Sequence, residues 1–522
     1  MSTVTAPVTS KDVRIAPTIS RNIVANFVGV AWTGLMGPAL VPVYIRFMGI
    51  EAYGLVGILT TLQAVFTLLD LGLSTTLNRE LARLSLCDDR AEETRDLVRT
   101  VEFLYWSVAA LIALILALAT PLLATHWIHA QNLSPGIIRQ AFVIMGLILA
   151  IQFPFALYSG GLMGLQRQVL LNGIAVVIAT ARGLGSILLL WLVAPTIEVF
   201  FAWQLAMTLL QTGLSAIFLW RSLPHTTTRP RFRPSLLRAT WRFAAGLIGI
   251  SIFALLLMQG DKILLSRLLA LDEFGYYALA AVVASGLYIV VLPVFSAVFP
   301  RFSQLIASDD EPSLRALYHN SCQIVSVTLL PVAVIVALFA PEILRVWTRN
   351  PVVVQHAHLL VSLLVIGSAL NGLLTLPYAL QLAAGWTKLA FYQNAIAVTL
   401  LMPLLFWATH RYGAVGAAAI WITVNAGAVL FSIQVMHTRL LRGEQCRWYT
   451  RDVGLPLVGP LAVALLGRRL FPIHPSTSVI LGGLTLVSCA ALLAACILTP
   501  LTRDWLAKRL LPGRFAKEHY AD

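Results

Sequence analysis

The sequence predicts an all-α polytopic membrane protein, and three observations support that fold class. Of the 522 residues, 58% are hydrophobic and only 11% are charged. The mean hydropathy is +0.83, far above the value of an ordinary soluble domain. Apolar stretches of about 20 residues, the length that a helix needs to cross a bilayer, recur along the whole chain. Lysine and arginine alternate between crowded and sparse loops, as membrane topology requires.

Short polar breaks separate these apolar stretches, which predict about 14 transmembrane helices. The first helix serves as its own insertion signal, because residues 1–18 lack the apolar core of a cleavable signal peptide. The expected helices are 22–45, 53–77, 101–125, 138–162, 170–193, 198–220, 243–267, 274–299, 320–341, 357–382, 389–409, 413–437, 453–470 and 477–500.

The net charge of +14 is explained by topology rather than by nucleic-acid binding. With a cytoplasmic N-terminus, 27 of the 37 lysines and arginines fall in cytoplasmic segments and 8 in outer segments. This is the asymmetry of the positive-inside rule, so we expect both termini in the cytoplasm and no nucleic-acid partner. Two cations, Arg182 and Lys262, remain inside expected helices and need another explanation.

An internal repeat appears at an offset of 221 residues. The segment RFMGIEAYGL, 46–55, aligns with RLLALDEFGY, 267–276, and pairs Glu51 with Asp272. The offset contains six expected helices, so both copies enter the membrane in the same direction and form parallel repeats. The expected organisation is a cytoplasmic tail at 1–18, an N-lobe at 19–220, a basic cytoplasmic linker at 221–242, a C-lobe at 243–437, a helix pair at 438–500 and a cytoplasmic tail at 501–522.

Polar residues at helical spacing indicate which helix faces avoid lipid. The second expected helix carries Gln63, Thr67, Asp70 and Ser74 on one face, continuing to Asn78. Such faces predict a watery cavity, although hydrogen bonds between helices are the alternative interpretation of the uncharged residues. A charge at the bilayer centre costs about 2.5–3.5 kcal/mol on insertion scales, which favours the cavity for Arg182. The candidate binding residues are Arg182, Lys262, Asn26, Thr33, Gln63, Asn172, Asn371 and Tyr378.

Asp261 and Lys262 form an adjacent pair within an apolar helix. Neighbouring positions lie about 100° apart and do not face each other, so we expect no salt bridge between the two side chains. Lys262 shares a polar face with Gln259 and Ser266, which favours Lys262 for the cavity. The internal repeat favours Asp261 instead, so the sequence leaves that choice open.

Motifs of enzyme chemistry are missing from the sequence. It contains no phosphate-binding loop, no zinc-protease motif and no serine-nucleophile motif. The five cysteines avoid the expected outer loops, so we expect no disulfide framework. The short outer loops leave little room for an active site outside the membrane. We therefore expect a transporter, with no catalytic residue, no metal site and no cofactor.

Several runs of sequence resemble the polysaccharide-biosynthesis flippases of the multidrug/oligosaccharidyl-lipid/polysaccharide exporter superfamily. They are SRNIVANFVGVAWTGLMGPALVPVYIRFMGIEAYGLV, LLDLGLSTTLNRELA, QGDKILLSRLLALDEFGYYALA, FAPEILRVW, LPYALQLAAGWTKLAFYQN and RYGAVGAAAIW, and they cover roughly residues 18–440. The resemblance implies a V-shaped fold of two six-helix lobes with two extra helices, in a bacterial inner membrane.

The resemblance also implies a substrate and site residues. The substrate would be a polyprenyl-diphosphate-linked oligosaccharide for O-antigen or exopolysaccharide, moved to the periplasmic leaflet by alternating access. Lumenal cations of the family match Arg182 and Lys262, and the conserved-looking motifs LLDLGL and QGDK place Asp70 and Asp261 in possible ion coupling or lobe contact. Further partners would be H⁺ or Na⁺, membrane lipids, and a downstream polymerase or ligase.

Three other functions stay open from the sequence. A multidrug-type ion-coupled exporter would need an acidic lumen, whereas Arg182 and Lys262 would repel a cationic drug. A peptidoglycan-precursor flippase would differ in that its loss is lethal. A membrane glycan polymerase or ligase is disfavoured by the short outer loops and by the parallel repeat.

Overall fold

The computed structural model describes residues 10–67, 70, 72–84, 90–226, 228–234, 248–472 and 476–503. Side chains are described within these ranges except at 10–28, 248–252, 254, 387–391 and 393. Residues 1–9 of the expected N-terminal tail, 235–242 of the expected linker and 504–522 of the expected C-terminal tail therefore lie outside the described residues.

The regular elements of the described residues are helices, and twelve of them are long and apolar enough to cross a membrane. The chain is thus an all-helical polytopic membrane protein. It divides into two compact units, Met1–Asp272 and Glu273–Asp522.

The first unit is built around one buried helix. Its helices are α1 (Ser10–Met48), α2 (Ile50–Thr67), α3 (Leu73–Leu84), α4 (Ala91–Leu122), α5 (Pro135–Gly164), α6 (Gln168–Leu192), α7 (Ile197–Ser222) and α8 (Ile248–Leu268). Helix α5 is central, since it packs against α3, α4 and α7, and 61% of its most apolar segment is buried. The Ser134 hydroxyl caps its first turn by accepting from the Ile137 amide, and Pro135 fits the first helical position.

The second expected helix, 53–77, is wrong as a single element, because the structure ends α2 at Thr67 and begins α3 at Leu73. Gly72 adopts a φ of +76°, a left-handed conformation that a helix cannot contain. Asp70 accepts hydrogen bonds from the Ser74 amide at 3.4 Å and the Ser74 hydroxyl at 2.6 Å, as a helix cap does. The polar face from Gln63 to Asn78 is therefore interrupted rather than continuous.

Helix α8 belongs to the first unit by its contacts. It packs against α2, and the Leu271 amide that follows it donates to the His129 carbonyl at 2.9 Å. The Arg267 guanidinium donates to the His126 carbonyl at 2.6 Å and lies over the Trp127 ring. These contacts close the loop between α4 and α5 onto the end of α8.

The second unit contains a helical core and a C-terminal helix pair. Its helices are α9 (Leu271–Ser285), α10 (Tyr288–Ala307), α11 (Glu311–Leu338), α12 (Ala340–Thr348), α13 (Pro351–Ala383), α14 (Thr387–Arg439), α15 (Gln445–Arg447), α16 (Leu455–Leu470) and α17 (Thr477–Leu498). Helix α11 is 61% buried over its most apolar segment, because it packs against α13 on one side and against α16 and α17 on the other.

Two elements of the second unit depart from the expected spans. The span 274–299 is wrong as one helix, since α9 ends at Ser285 and α10 begins at Tyr288. Helix α14 runs for 53 residues, but Gly413 inside it has non-helical torsion angles of φ 59° and ψ −143°. This break separates the chain at the boundary that the sequence placed between the helices 389–409 and 413–437.

Candidate functional site

A cavity of about 370 Å³ lies within the first unit. Residues of α1, α2, α6 and α7 line it, and its surface is mostly apolar with hydroxyl and amide groups among the aliphatic ones. The lining residues are Thr33, Met36, Gly37, Tyr44, Val56, Leu59, Thr60, Gln63, Ala175, Ile178, Ala179, Arg182, Gly183, Phe200, Gln204 and Gln211. Among these residues, one side chain is cationic and none is a carboxylate.

Arg182 lines this cavity with neutral partners. Its Nη2 donates to Thr208 Oγ1 at 3.3 Å and to Gln211 Oε1 at 3.2 Å. Its Nε is buried and has no hydrogen-bond partner within the described residues. The ion pairs found in the described part of the chain do not include Arg182. A buried guanidinium without a carboxylate retains its attraction for an anion that enters the cavity.

Three of the candidate binding residues come together here. Thr33 and Gln63 line the same cavity as Arg182. The Thr33 hydroxyl donates to the Gly29 carbonyl at 2.8 Å, and Gln63 Nε2 donates to Gln152 Oε1 at 2.8 Å. Both side chains therefore keep acceptor capacity for a ligand.

Asn172 shares the helix of Arg182 but does not line the cavity. Its Nδ2 donates to the Gln168 carbonyl at 2.8 Å, and its side chain fills the space where Gly29 lacks a Cβ. This is a contact between α1 and α6. The side chain of Asn26, one helical turn before, lies outside the described residues.

The sequence analysis missed the polar face that α7 contributes. Gln204, Thr208 and Gln211 recur at spacings of four and three residues, which is the signal that identified the other polar faces. Tyr44 was also missed, and its hydroxyl donates to the Gly183 carbonyl at 3.3 Å. These residues place the hydrogen-bonding groups around Arg182.

Asp70 lies between α2 and α3 and is not among the cavity residues. Its carboxylate accepts from the Tyr105 hydroxyl of α4 and from the Ser74 hydroxyl and amide. Tyr105 is fully buried, so this contact ties the break after α2 to the interior of the unit. The arrangement joins three helices around one carboxylate.

The expectation of no salt bridge between Asp261 and Lys262 is wrong at the limit of ion-pair distance. Lys262 Nζ lies 4.0 Å from Asp261 Oδ1, because the long lysine side chain bends back along the helix. The same ammonium donates to the Met258 carbonyl and to Gln259 Oε1, each at 3.2 Å. Neither residue lines the cavity of the first unit.

Asn371 and Tyr378 belong to the second unit. Asn371 accepts from the Tyr288 hydroxyl at 2.7 Å and donates to Asn425 Oδ1 at 2.8 Å, which links α10, α13 and α14. Tyr378 lies one turn further along and is 41% exposed. Hydrogen bonding between helices, the alternative left open by the sequence, describes the present state of Asn371.

Metal ligands were also sought in the structure. No group of three His, Cys, Asp or Glu side chains with a metal-binding arrangement occurs among the described residues. The His356 ring stacks on Tyr276, and His358 Nδ1 lies 2.8 Å from the Val354 carbonyl.

Comparison with known proteins gives three kinds of relative. A family model for polysaccharide biosynthesis proteins matches residues 43–348, more than half of the chain. A putative O-antigen transporter from Shigella flexneri is 22% identical over 431 residues, which are 81% of this chain and 98% of that protein.

Solved structures match the fold. The lipid II flippase MurJ in an inward closed conformation has a TM-score of 0.69 at 12% identity, covering 93% of this chain and 99% of its own. An inward-facing multidrug resistance MATE family transporter of the MOP superfamily has a TM-score of 0.59 at 14% identity, covering 82% and 99%. The relatives are transporters, as the sequence predicted, and not enzymes. Since the family model covers most of the first unit and extends into the second, this chain belongs to the polysaccharide biosynthesis protein family.

Proposed function

We propose that the protein is a flippase for polyprenyl-diphosphate-linked oligosaccharide units. It would move them from the cytoplasmic to the periplasmic leaflet of a bacterial inner membrane, for O-antigen or exopolysaccharide synthesis. Membership of the polysaccharide biosynthesis family and similarity to a putative O-antigen transporter support this substrate class. Similarity to flippase and exporter structures supports a transport mechanism.

The observation that carries the proposal is the chemistry of the cavity around Arg182. A diphosphate needs a cation, and the guanidinium has a buried Nε without a partner within the described residues. Sugar hydroxyls need hydrogen-bonding groups, and Thr33, Gln63 and Gln204 supply them. A lining without carboxylates among its described residues suits an anion and opposes a cationic drug. With one cation only, the glycan itself would be neutral or weakly charged.

The repeat is part of the proposal at the level of architecture. We infer about fourteen transmembrane helices, arranged as two parallel six-helix lobes in a V-shaped fold with the C-terminal pair beside them. The element positions support this: α9, α11 and α14 begin 221, 220 and 219 residues after α2, α4 and α6. Helix α14 would extend about 80 Å if straight, more than twice the hydrocarbon thickness, so its break at Gly413 fits two crossings.

The mechanism follows from what cannot enter hydrocarbon. The diphosphate and the glycan need a polar shelter, whereas the polyprenyl tail can stay in lipid at the side of the lobes. Rocking of the lobes would expose the cavity to one leaflet and then to the other. Outward movement of one negative charge is favoured by about 2.3 kcal/mol per 100 mV of inside-negative potential. A downstream polymerase or ligase would remove the product, and both termini would stay in the cytoplasm.

The remaining candidate residues have roles within the same proposal. Asn26, Asn172 and Lys262 would contact the glycan on the N-lobe side, and Asn371 and Tyr378 on the C-lobe side. Asp261 would hold Lys262 or a lobe contact. The present contacts of Asn172 and Asn371 would have to open for them to bind substrate.

Asp70 would couple transport to inward H⁺ or Na⁺. Its carboxylate is enclosed by Tyr105 and Ser74, so uptake of a cation would rearrange the link between α2, α3 and α4. Asp70→Asn keeps the acceptor oxygen and removes the charge. We expect it to abolish the ion dependence of transport, and unchanged transport with unchanged ion dependence would exclude this coupling role.

A flipping assay tests the role of Arg182. The protein would be reconstituted in vesicles with lipid-linked oligosaccharide extracted from a strain lacking it, and glycosidase access would report the leaflet. We expect Arg182→Gln to slow flipping about tenfold or more, since a buried hydrogen bond to a charged group is worth about 1.5–3 kcal/mol. Arg182→Lys keeps the charge and should retain part of the rate.

Arg139→Gln is the matched control, because Arg139 is an exposed arginine on α5 outside the cavity. It should flip substrate at the rate of the unsubstituted protein. Equal rates for Arg182→Gln and Arg139→Gln would remove Arg182 from substrate binding.

A further inference from the structure

A buried cluster of ionisable side chains lies in the second unit, apart from the cavity. His319 on α11 is fully buried, and its two ring nitrogens face two carboxylates. Nδ1 contacts Asp452 Oδ2, and Nε2 lies 3.1 Å from Glu444 Oε2. Asp452 is also fully buried, and the Glu444 side chain is 13% exposed.

These contacts require a proton that a neutral imidazole does not have. A neutral imidazole carries one N–H, and an ionised carboxylate only accepts. Both contacts can be hydrogen bonds only if His319 is an imidazolium or if one carboxyl group is protonated. In either form, one exchangeable proton is held among His319, Asp452 and Glu444.

The groups around the cluster account for its other charges. Asp452 Oδ1 accepts from Gln323 Nε2 at 2.9 Å. Glu444 Oε1 pairs with Arg315 at 2.9 Å, and Glu444 Oε2 lies 3.7 Å from Arg447. The remaining titratable neighbours within the described residues are Tyr318 and Cys322 on α11, His437 at the end of α14, and Tyr449 after α15. If the proton leaves, the buried Asp452 carboxylate keeps Gln323 as a partner but loses its adjacent positive charge.

The cluster joins α11 to the C-terminal helix pair, defined as α16 and α17. Glu444 and Asp452 flank the segment 445–454 that leads into α16. Gln323 also accepts from the Leu501 amide at 3.1 Å, just beyond the end of α17. The pair packs on α11 through Ile335, Ala464 and Ala491. One group of side chains thus holds the start of α16 and the end of α17 on the same helix.

We propose that His319, Asp452 and Glu444 form a proton-binding site that fastens the C-terminal helix pair to α11. The pair stays docked while the proton is bound. Because the docked state holds one more proton than the released state, docking is strongest at low pH and weakens as the pH rises.

Hydrogen exchange of the full-length protein in lipid nanodiscs tests the site. Exchange of peptides covering 442–456 would be followed from about pH 5.5 to about pH 9 and corrected for the intrinsic dependence of amide exchange on pH. We expect protection to fall at least about tenfold across this range, since loss of one partner of a buried charge pair is strongly destabilising. Peptides from α13, outside the cluster, should keep their protection.

Substitutions separate the proton from general packing. His319→Gln should lower protection of 442–456 and remove its pH dependence. Asp452→Asn removes the buried charge that needs the proton, so its protection should stay nearly constant with pH. His410→Gln, at an exposed histidine of α14, is the control and should reproduce the unsubstituted profile. Constant protection of the unsubstituted protein across the range would overturn the proposal, however the variants fold, and so would an unchanged profile in His319→Gln.

Discussion

Arg182 lies in the membrane region with only neutral partners among the described residues. Its guanidinium donates to Thr208 and Gln211, and its Nε has no hydrogen-bond partner. Such an arrangement is unfavourable for stability alone, because replacement of a buried charge by a well-packed neutral residue is often harmless or stabilising. The placement is therefore better explained by a ligand than by folding.

Asp70 can be tested through Tyr105, which donates its hydroxyl to the carboxylate. Tyr105→Phe keeps the buried ring and its stacking on Phe153 and removes only the donor. We expect the free energy of unfolding to fall by about 1.5–3 kcal/mol, the usual range for a hydrogen bond to a charged group. Thermal melting of the purified protein in detergent would measure it.

The control for this substitution is Tyr412→Phe. Tyr412 is 59% exposed, so loss of its hydroxyl should change melting little. If the two variants melt at the same temperature as the unsubstituted protein, the contact between Asp70 and Tyr105 does not stabilise the fold.

At this scale, helical spacing predicts faces but not partners. Charge counting singled out Arg182 because a cation without a loop must have a polar environment. The same spacing could not tell that Asn172 fills the gap beside Gly29 while Thr33, on the facing helix, lines the cavity. That difference depends on which small residue lies opposite, a fact of packing rather than of sequence period. Lys262 shows the same limit, since its flexible side chain reaches back to Asp261.

The packing of α5 against α3 depends on glycines spaced like a small-residue helix contact. A Cβ added at Gly160 would lie 2.6 Å from the Ser74 carbonyl oxygen, and one at Gly164 would lie 2.5 Å from that of Asn78. Backbone atoms cannot move aside cheaply, so we expect Gly160→Ala to lower the free energy of unfolding by about 1–3 kcal/mol. Melting in detergent and the yield of monodisperse protein would report the loss.

Gly173→Ala on α6 is the matched control, because an added Cβ there meets nothing within 4 Å. Alanine should be neutral there, or stabilising by about 0.5–1 kcal/mol through its better helix propensity. A Gly160→Ala variant as stable as Gly173→Ala would mean that α3 and α5 do not approach this closely.

The sequence predicts helices well where apolar length decides the outcome and poorly where one residue breaks the helix. The spans 138–162 and 477–500 fall close to α5 and α17. The span 53–77 failed because hydropathy does not register the cap at Asp70 or the left-handed Gly72. Gly413 breaks α14 in the same way, but there a polar RYG segment made the boundary visible in the sequence.

At the scale of the whole molecule, the offset of 221 residues found in the sequence recurs in the helix starts. The family and the transport class were also predictable, because ordered runs of sequence carry them over most of the chain. The cavity and the proton site were not, since both depend on side chains brought together from distant helices. His319 and Asp452, 133 positions apart, show how far such a contact lies from any local pattern.

The central claim concerns which step of glycan assembly needs this protein. The most direct measurement is to delete the gene in its host and quantify polyprenyl-diphosphate-linked oligosaccharide in intact spheroplasts, testing access to the sugar from outside. The account predicts that finished single units accumulate and stay inaccessible, on the cytoplasmic face. Accumulation of units on the outer face, or no accumulation at all, would contradict it.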